Sequence, residues 1–449
     1  MNPIPQPMPY PELSGNAGWL ARSRAAVWHP CTQMKRHETW PLLPIARGRG
    51  AWLYDFDGRR YLDAVSSWWV NLFGHAHPKI NAAIASQLDA LEHVMLAGCT
   101  QAPVVELSER LASLAPGRLG HCFYGSDGAS AVEIALKMSF HYWRNRGEPG
   151  KNAFIALANG YHGETLGALS VTDVALFRDA YEPLLRRQAT LPSPDARLAR
   201  RGRTAHEHAL VAANALELHL ATHHAAIAAL IVEPLVQGAA GMAIYDAVYL
   251  ERAREMCTRY GVHLIADEIM TGLGRTGTMF ACEQAGVAPD FLCLSKGLTG
   301  GYLPLSTVLT SDEVYAAFYD DDLARGFLHS HSYTGNALAC RAALAVLDLF
   351  RDESVISANR ARAATLTALA QPLAAHPKVS GFRHLGMIWA FEVDSRRDDF
   401  ASWCFAAALQ REMLLRPIGR TVYRMPPYCL GDAEMALLAG RTLELIECA

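Results

Sequence analysis

Residues 291–301 read FLCLSKGLTGG: an apolar run of strand type, one lysine, then flexible glycines. Lysine is among the residues least often fully buried. Where a strand carries one inward, desolvation disfavours the ammonium and lowers its pKa. A neutral amine is a nucleophile toward carbonyls, which is the chemistry of Schiff bases. Alone, Lys296 equally fits a lysine whose stem lies along the strand end and whose head reaches water.

Other strand-like runs also end on useful groups. Asp267 and Glu268 follow residues 262–266. Gly125, Ser126, Asp127 and Gly128 follow residues 121–124 and open a helix. Asn159, Gly160, Tyr161, His162 and Gly163 follow residues 153–157. In open α/β sheets, ligands bind beyond the carboxyl ends of the strands. If these strands are neighbours, one pocket holds a lysine, a buried acid, an aromatic ring and a helix N-terminus. Those are the needs of pyridoxal 5'-phosphate. An amine meets the aldehyde, and a carboxylate keeps the pyridine nitrogen protonated. An aromatic face stacks on the ring, and backbone N–H groups bind the phosphate. Each part also has a structural reading: Asp267 as a turn cap, Asp127 as a helix N-cap, Tyr161 and His162 as packing residues.

The elements that must position these groups follow from the apolar pattern. Residues 225–232 (AAIAALIV), 262–266, 291–294 and 306–309 read as buried strands. Residues 130–146 read as a helix with Val132, Ala135, Leu136 and Phe140 on one face, and residues 248–260 as another, ended by Gly261. Residues 52–62 read as two short strands around Asp57-Gly58. Apolar strands separated by helices predict an α/β fold with a mainly parallel sheet covered by helices. After about residue 345, a long alanine-rich helix (337–350) leads into separate strands such as 387–393, which predicts a second, smaller α/β domain. The expected division is an N-terminal arm and joining segment (1–65), a large cofactor-binding domain (66–345) and a small domain (346–449).

Bulk properties exclude several classes. The chain has 449 residues and is 51% hydrophobic, which indicates a globular protein of more than one domain. A net charge of -3 gives no general reason to expect nucleic acid. The ten cysteines are scattered, without a CxxC pair, which suits a reducing compartment and indicates neither a disulfide framework nor a metal site. Proline stands at every second position from Pro3 to Pro11, as in an extended arm of polyproline type. No signal peptide or apolar run of transmembrane length is found, so the expected location is the cytoplasm. Residues 186–203 hold six arginines and one acid, and read as a solvated loop or an oligomer contact.

The segment LIADEIMTGLGRTG (264–277), followed by DFLCLSKGLTGG, resembles the signature of class III, subgroup II, pyridoxal-phosphate aminotransferases. The 29 residues from Asp267 to Lys296 fit that signature, and the similarity runs from about His29 to Tyr428. Further segments (WHPCTQMKRHE, YLDAVSSWWVNLFGHAHP, LEHVMLAG, NGYHGETLGALSV, VEPLVQGAAGM and RPIGRTVYRMPPY) resemble the branch of the family that works in biotin synthesis.

The resemblance implies fold type I, a homodimer with shared active sites, and transfer of an amine to 8-amino-7-oxononanoate, with S-adenosylmethionine as donor. It implies Lys296 as the Schiff-base lysine and proton shuttle, Asp267 on the pyridine nitrogen and Tyr161 on the ring. Gly128 and Ala129 are implied as phosphate-binding, with Ser332 reaching the phosphate of the partner subunit. Trp68, Trp69, Cys31, Arg275, Ser330 and Arg420 are implied at the substrate, with Arg420 holding its distal carboxylate. Lysine as the donor, or an ω-amino acid or diamine as the substrate, is the alternative within the family.

The chain departs from the family pattern at four positions. Cys31 stands where some relatives have a tyrosine, and cannot donate the same phenol hydrogen bond. Ala129 replaces a common serine or threonine and leaves only a backbone amide. Ser330 replaces a glycine, and Glu164 an aspartate.

Overall fold

The computed structural model describes residues 15–40 and 42–449. The proline-rich arm lies outside the described residues.

A seven-stranded sheet forms the centre. Its strands run side by side in the order His121–Gly125, Ser306–Thr310, Phe291–Leu294, His263–Asp267, Ile227–Val232, Ala153–Leu157, Ala189–Leu191. Six of these strands run the same way. Ser306–Thr310 is antiparallel to both neighbours, and the pairings from Phe291–Leu294 to Ala189–Leu191 are parallel. The expected mainly parallel sheet is therefore present, with one reversed strand that hydrophobic pattern alone does not reveal. Every residue of the strands Ile227–Val232, His263–Asp267, Phe291–Leu294 and Ser306–Thr310 is buried. Such strands lack a polar face because helices cover both sides.

Local chemistry sets the helix ends. The Gly128–Asn145 helix starts where the Asp127 side chain accepts from the Ser130 N–H at 3.0 Å. The Val248–Tyr260 helix stops at Gly261, whose φ of 60° is the left-handed cap that glycine adopts without strain. Lys151 Nζ donates to the carbonyls of His224 (3.0 Å) and Gly261 (2.8 Å). One cation thus meets the carboxyl ends of two helices, where the dipole favours positive charge. It anchors them beside the amino end of Ala153–Leu157.

Besides a two-stranded ribbon of Val236–Gln237 and Ala243–Ile244, two smaller sheets accompany the central one. Val379–Leu385, Ile388–Val393 and Thr421–Arg424 form an antiparallel sheet. Ile45–Arg49, Trp52–Asp55 and Arg60–Asp63 form a meander, joined in parallel by Met413–Leu414. In the arginine-rich segment, Arg197 is paired with Asp195 at 2.7 Å and with Glu392 at 2.9 Å. It therefore ties that segment to the antiparallel sheet. Among the described residues no helix is long and apolar enough to cross a membrane.

Candidate active site

The strand order brings the carboxyl ends of His263–Asp267 and Phe291–Leu294 together, because these strands are direct neighbours. Asp267 is buried, and its Oδ2 accepts from His162 Nδ1 at 2.7 Å. Its Oδ1 accepts from the Ile269 N–H at 3.2 Å. His162 is held in turn, its backbone N–H donating to Thr172 Oγ1 at 2.9 Å. Lys296 follows the neighbouring strand with a φ of 45°, a left-handed conformation for a residue with a side chain. Burial lowers its pKa from the ordinary 10.5, opposed by the nearby charges of Asp267 and Glu233. Its Nζ lies 4.7 Å from the centre of the Trp69 ring.

Tyr161 stands in the loop after Ala153–Leu157. Its N–H donates to Glu233 Oε1 at 3.0 Å, and its hydroxyl to Glu164 Oε1 at 2.8 Å. Burial, with Glu164 beside it, pushes the phenol pKa well up. Glu233 also accepts from the Gly238 N–H at 2.8 Å. Burial raises the Glu233 pKa to about 7, with His162 opposing and Asp267 adding to the rise.

The helix start offers donors. Among the described residues, the N–H groups of Gly128 and Ala129 have no hydrogen-bond partner, whereas Ser126, Ser130 and the Ser130 N–H are all engaged with Asp127. Gly163 packs directly on this helix start. A Cβ there would come within 2.5 Å of Ala129 Cβ, and φ is 125°, so only glycine fits. The Tyr161 loop and the helix N-terminus are thereby held together.

The two tryptophans sit on an unusual turn. Ser66, Ser67, Trp68 and Trp69 have φ values of 49°, 46°, 71° and 72°. Left-handed backbone costs roughly 1–2 kcal/mol per non-glycine residue, so the surroundings must hold this segment. Trp69 is buried and donates Nε1–H to Tyr423 Oη at 3.1 Å. Trp68 is 42% exposed, with the Arg416 guanidinium 4.6 Å from its ring centre. Cys31 is exposed and close to the same group. Partial burial and the charge of Glu164 push its thiol pKa up, and Arg416 pulls it down.

Four expected members lie elsewhere. Arg420 does not join the cluster: it is exposed, and its Nη1 donates to the Ser395 carbonyl. The turn closed by the Ile418–Thr421 bridge separates it from Arg416, which takes the place beside Trp68. Arg275 is 1% exposed and lies behind the turn, donating to Pro426 O at 2.9 Å and reaching Ser66 Oγ at 3.5 Å. Ser330 and Ser332 are exposed on the stretch before the Ala337–Asp352 helix. The Ser332 carbonyl meets His93 Nε2 at 2.7 Å.

Sequence reasoning missed Glu233, Arg416 and Tyr423, and did not pair His162 with Asp267. Glu233 had a usable signal, since it directly follows a buried strand as Asp267 does. Nothing in the spacing distinguishes Arg416 from Arg420.

The donor set fits pyridoxal phosphate. Two unpaired N–H groups at a helix start suit a phosphate, a buried carboxylate suits a protonated ring nitrogen, and an amine of lowered pKa suits an aldehyde. Residues 33–445 match the family described as aminotransferase class-III, and the chain belongs to that family, a pyridoxal-phosphate-dependent aminotransferase of fold type I.

The similarity narrows further among individual proteins. The chain is 46% identical over 429 residues to the adenosylmethionine-8-amino-7-oxononanoate aminotransferase of Helicobacter pylori, covering 94% of this chain and 96% of the relative. It is 40% identical to the protein of the same name from Aquifex aeolicus, covering 91% and 92%. The crystal structure of that enzyme from Methanocaldococcus jannaschii superposes with a TM-score of 0.90 at 35% identity, covering 96% of this chain and 99% of the other. An omega transaminase from Pseudomonas jessenii in complex with PMP gives 0.91 at 27% identity, covering 95% and 97%.

Proposed function

We propose that this protein transfers an amino group from S-adenosylmethionine to the 7-keto carbon of 8-amino-7-oxononanoate, giving 7,8-diaminononanoate in biotin synthesis. The observation that carries this reading is the pair of aromatic–cation contacts on one turn. Trp69 faces the reactive amine of Lys296, and Trp68 faces Arg416. A keto acid with a long aliphatic chain needs an amine at one end, an apolar wall along its length and a guanidinium for its distal carboxylate. A sulfonium donor is drawn to the same aromatic faces. The names of the relatives agree with this substrate.

Pyridoxal phosphate supplies an aldehyde that takes up the amine and an electron-withdrawing ring that loosens the proton on the neighbouring carbon. Lys296 is the base. Its lowered pKa favours a neutral Nζ, which would take the proton from the substrate carbon and deliver it to the cofactor side. Asp267, braced by His162 and Ile269, is the carboxylate for the ring nitrogen. Tyr161, fixed through its N–H and its hydroxyl, would stack on the ring. Gly128 and Ala129 would donate to the phosphate, joined by Ser332 of the other protomer in a homodimer. The exposure of Ser330 and Ser332 supports that sharing. Trp68, Trp69 and Cys31 line the substrate, and Arg416 takes the carboxylate role expected of Arg420. The ten free cysteines support a cytoplasmic location. The pairing of Met413–Leu414 with Arg60–Asp63 supports one small unit built from residues 1–65 and 346–449 beside the large domain 66–345.

The test is product identification. Purified protein is mixed with 8-amino-7-oxononanoate and either S-adenosylmethionine or lysine, and 7,8-diaminononanoate is measured by mass spectrometry. Product with S-adenosylmethionine, and none from Lys296→Ala, is expected. Product with lysine alone reassigns the donor, and no product with either removes the assignment.

A further inference from the structure

The left-handed turn that carries Trp68 and Trp69 converges on one buried carboxylate. Asp63 ends the strand Arg60–Asp63, three residues before Ser66. Its Oδ1 accepts from the Ser67 N–H at 2.9 Å and from the Val65 N–H at 3.4 Å. Its Oδ2 accepts from Ser67 Oγ at 2.7 Å and from His75 Nε2 at 3.0 Å.

His75 is itself fixed on three sides. Its backbone exchanges hydrogen bonds with Gly50, at 3.0 and 2.7 Å. Its Nδ1 faces Asn71 Nδ2 at 3.1 Å, so the tautomer with Nε2–H directed at Asp63 satisfies both ring nitrogens. Gly48 admits the ring, since a Cβ there would come within 2.6 Å of it. From the other side, Ser66 Oγ donates to the Met425 carbonyl at 2.7 Å.

We propose that Asp63 is a positioning residue for substrate specificity. It holds the turn in its left-handed form, and so holds Trp68 against Arg416 and Trp69 against Lys296. This rests on the reading above in which the two tryptophans form the substrate wall. The hydrogen bonds of Asp63 go to Val65, Ser67 and His75, and to neither the Lys296 amine nor the indole N–H groups. Its loss therefore lowers the uniform binding of the keto acid, which appears in KM, and leaves the proton transfer at Lys296, which appears in kcat.

The experiment compares Asp63→Asn, His75→Leu, His75→Gln and Trp68→Ala, all as holoenzymes. Asparagine keeps the volume and one acceptor but loses the second carboxylate oxygen. Expected are a KM for the keto acid raised about tenfold or more in Asp63→Asn and His75→Leu, a kcat changed by less than about threefold, and an altered near-UV circular dichroism of the tryptophans. His75→Gln, which can still donate to Asp63, is expected to restore a KM near that of the parent. If Asp63→Asn does not fold, the two His75 variants decide. A raised KM in Trp68→Ala beside an unchanged KM in Asp63→Asn or His75→Leu overturns the inference alone. An unchanged KM in Trp68→Ala overturns the wall reading and the inference with it. A collapse of kcat and cofactor absorbance in the folded variants also overturns it, since it makes Asp63 a general structural support.

Discussion

His162 meets Asp267 at 2.7 Å, and both side chains are buried. A carboxylate withdrawn from water needs such a donor, because an unpaired buried acceptor carries its full desolvation cost. Together with the Ile269 N–H on Oδ1, the contact fixes the orientation of the carboxylate. Asp267→Asn is expected to lower kcat by about 10²- to 10³-fold, the usual loss when a preorganised charge is removed from a reaction centre. His162→Gln keeps a donor and is expected to cost about tenfold or less by the same reasoning. Steady-state kinetics and cofactor retention through dialysis check both.

Arg416 and Arg420 provide a sharp comparison. Arg416→Ala is expected to raise the KM for the keto acid on the order of 10- to 100-fold, the range for a lost hydrogen bond to a charged group. Arg420→Ala is expected to leave KM within about twofold, because Arg420 is spent on the Ser395 carbonyl. Equal effects from the two variants would return the carboxylate role to Arg420.

Glu233 links stability to pH. Burial raises its pKa from the ordinary 4.5 to about 7, and burial does the same to Glu268, whose oxygens accept from the Ala281 and Cys282 N–H groups. A raised carboxyl means that the folded chain binds more protons than the unfolded chain between those values. Its contribution is complete below about 4.5 and is lost as pH rises through about 7, on the order of 3 kcal/mol per group. Urea unfolding at several pH values is expected to show the parent losing stability relative to Glu233→Gln between pH 5 and 8. A constant difference over that range would contradict it.

Arg424 is the least compensated charge among the described residues. It is 0% exposed, and its Nε, Nη1 and Nη2 have no hydrogen-bond partner. Burial lowers its pKa to about 10. It shares a sheet position with Trp389, opposite it across the pair of strands. Arg424→Leu is expected to stabilise the fold by about 1–4 kcal/mol, as replacing buried ionic groups with apolar ones often does. A lower melting temperature in calorimetry would disprove this.

Much of this was readable from residue types. The strands ending at Asp267 and before Lys296 are apolar on both faces, and that pattern alone predicts buried neighbours in a parallel sheet. Asp127 and Gly261 mark helix ends by local chemistry. The Ser66–Trp69 turn was not readable. It contains no glycine, and its conformation is imposed by Asp63, Met425 and Tyr423 rather than by its own residues. The reversed strand Ser306–Thr310 escaped for a similar reason: direction in a sheet depends on the connection and not on composition. Arg416 and Arg420 are chemically identical, so only the fold separates them.

The turn's own tethers are distant in sequence. Trp69 bonds a residue 354 positions later, and Ser66 one 359 positions later. At ribosomal rates of about 5–20 residues per second, roughly 20 to 70 s of translation separate the two ends of these contacts. The helix start at Gly128 and the lysine at 296 are synthesised well before then. A nascent chain therefore has the groups that bind the cofactor before it can complete the wall that selects a substrate. Prematurely released fragments that stop short of Tyr423 would hold the reactive amine without the enclosure that restrains it.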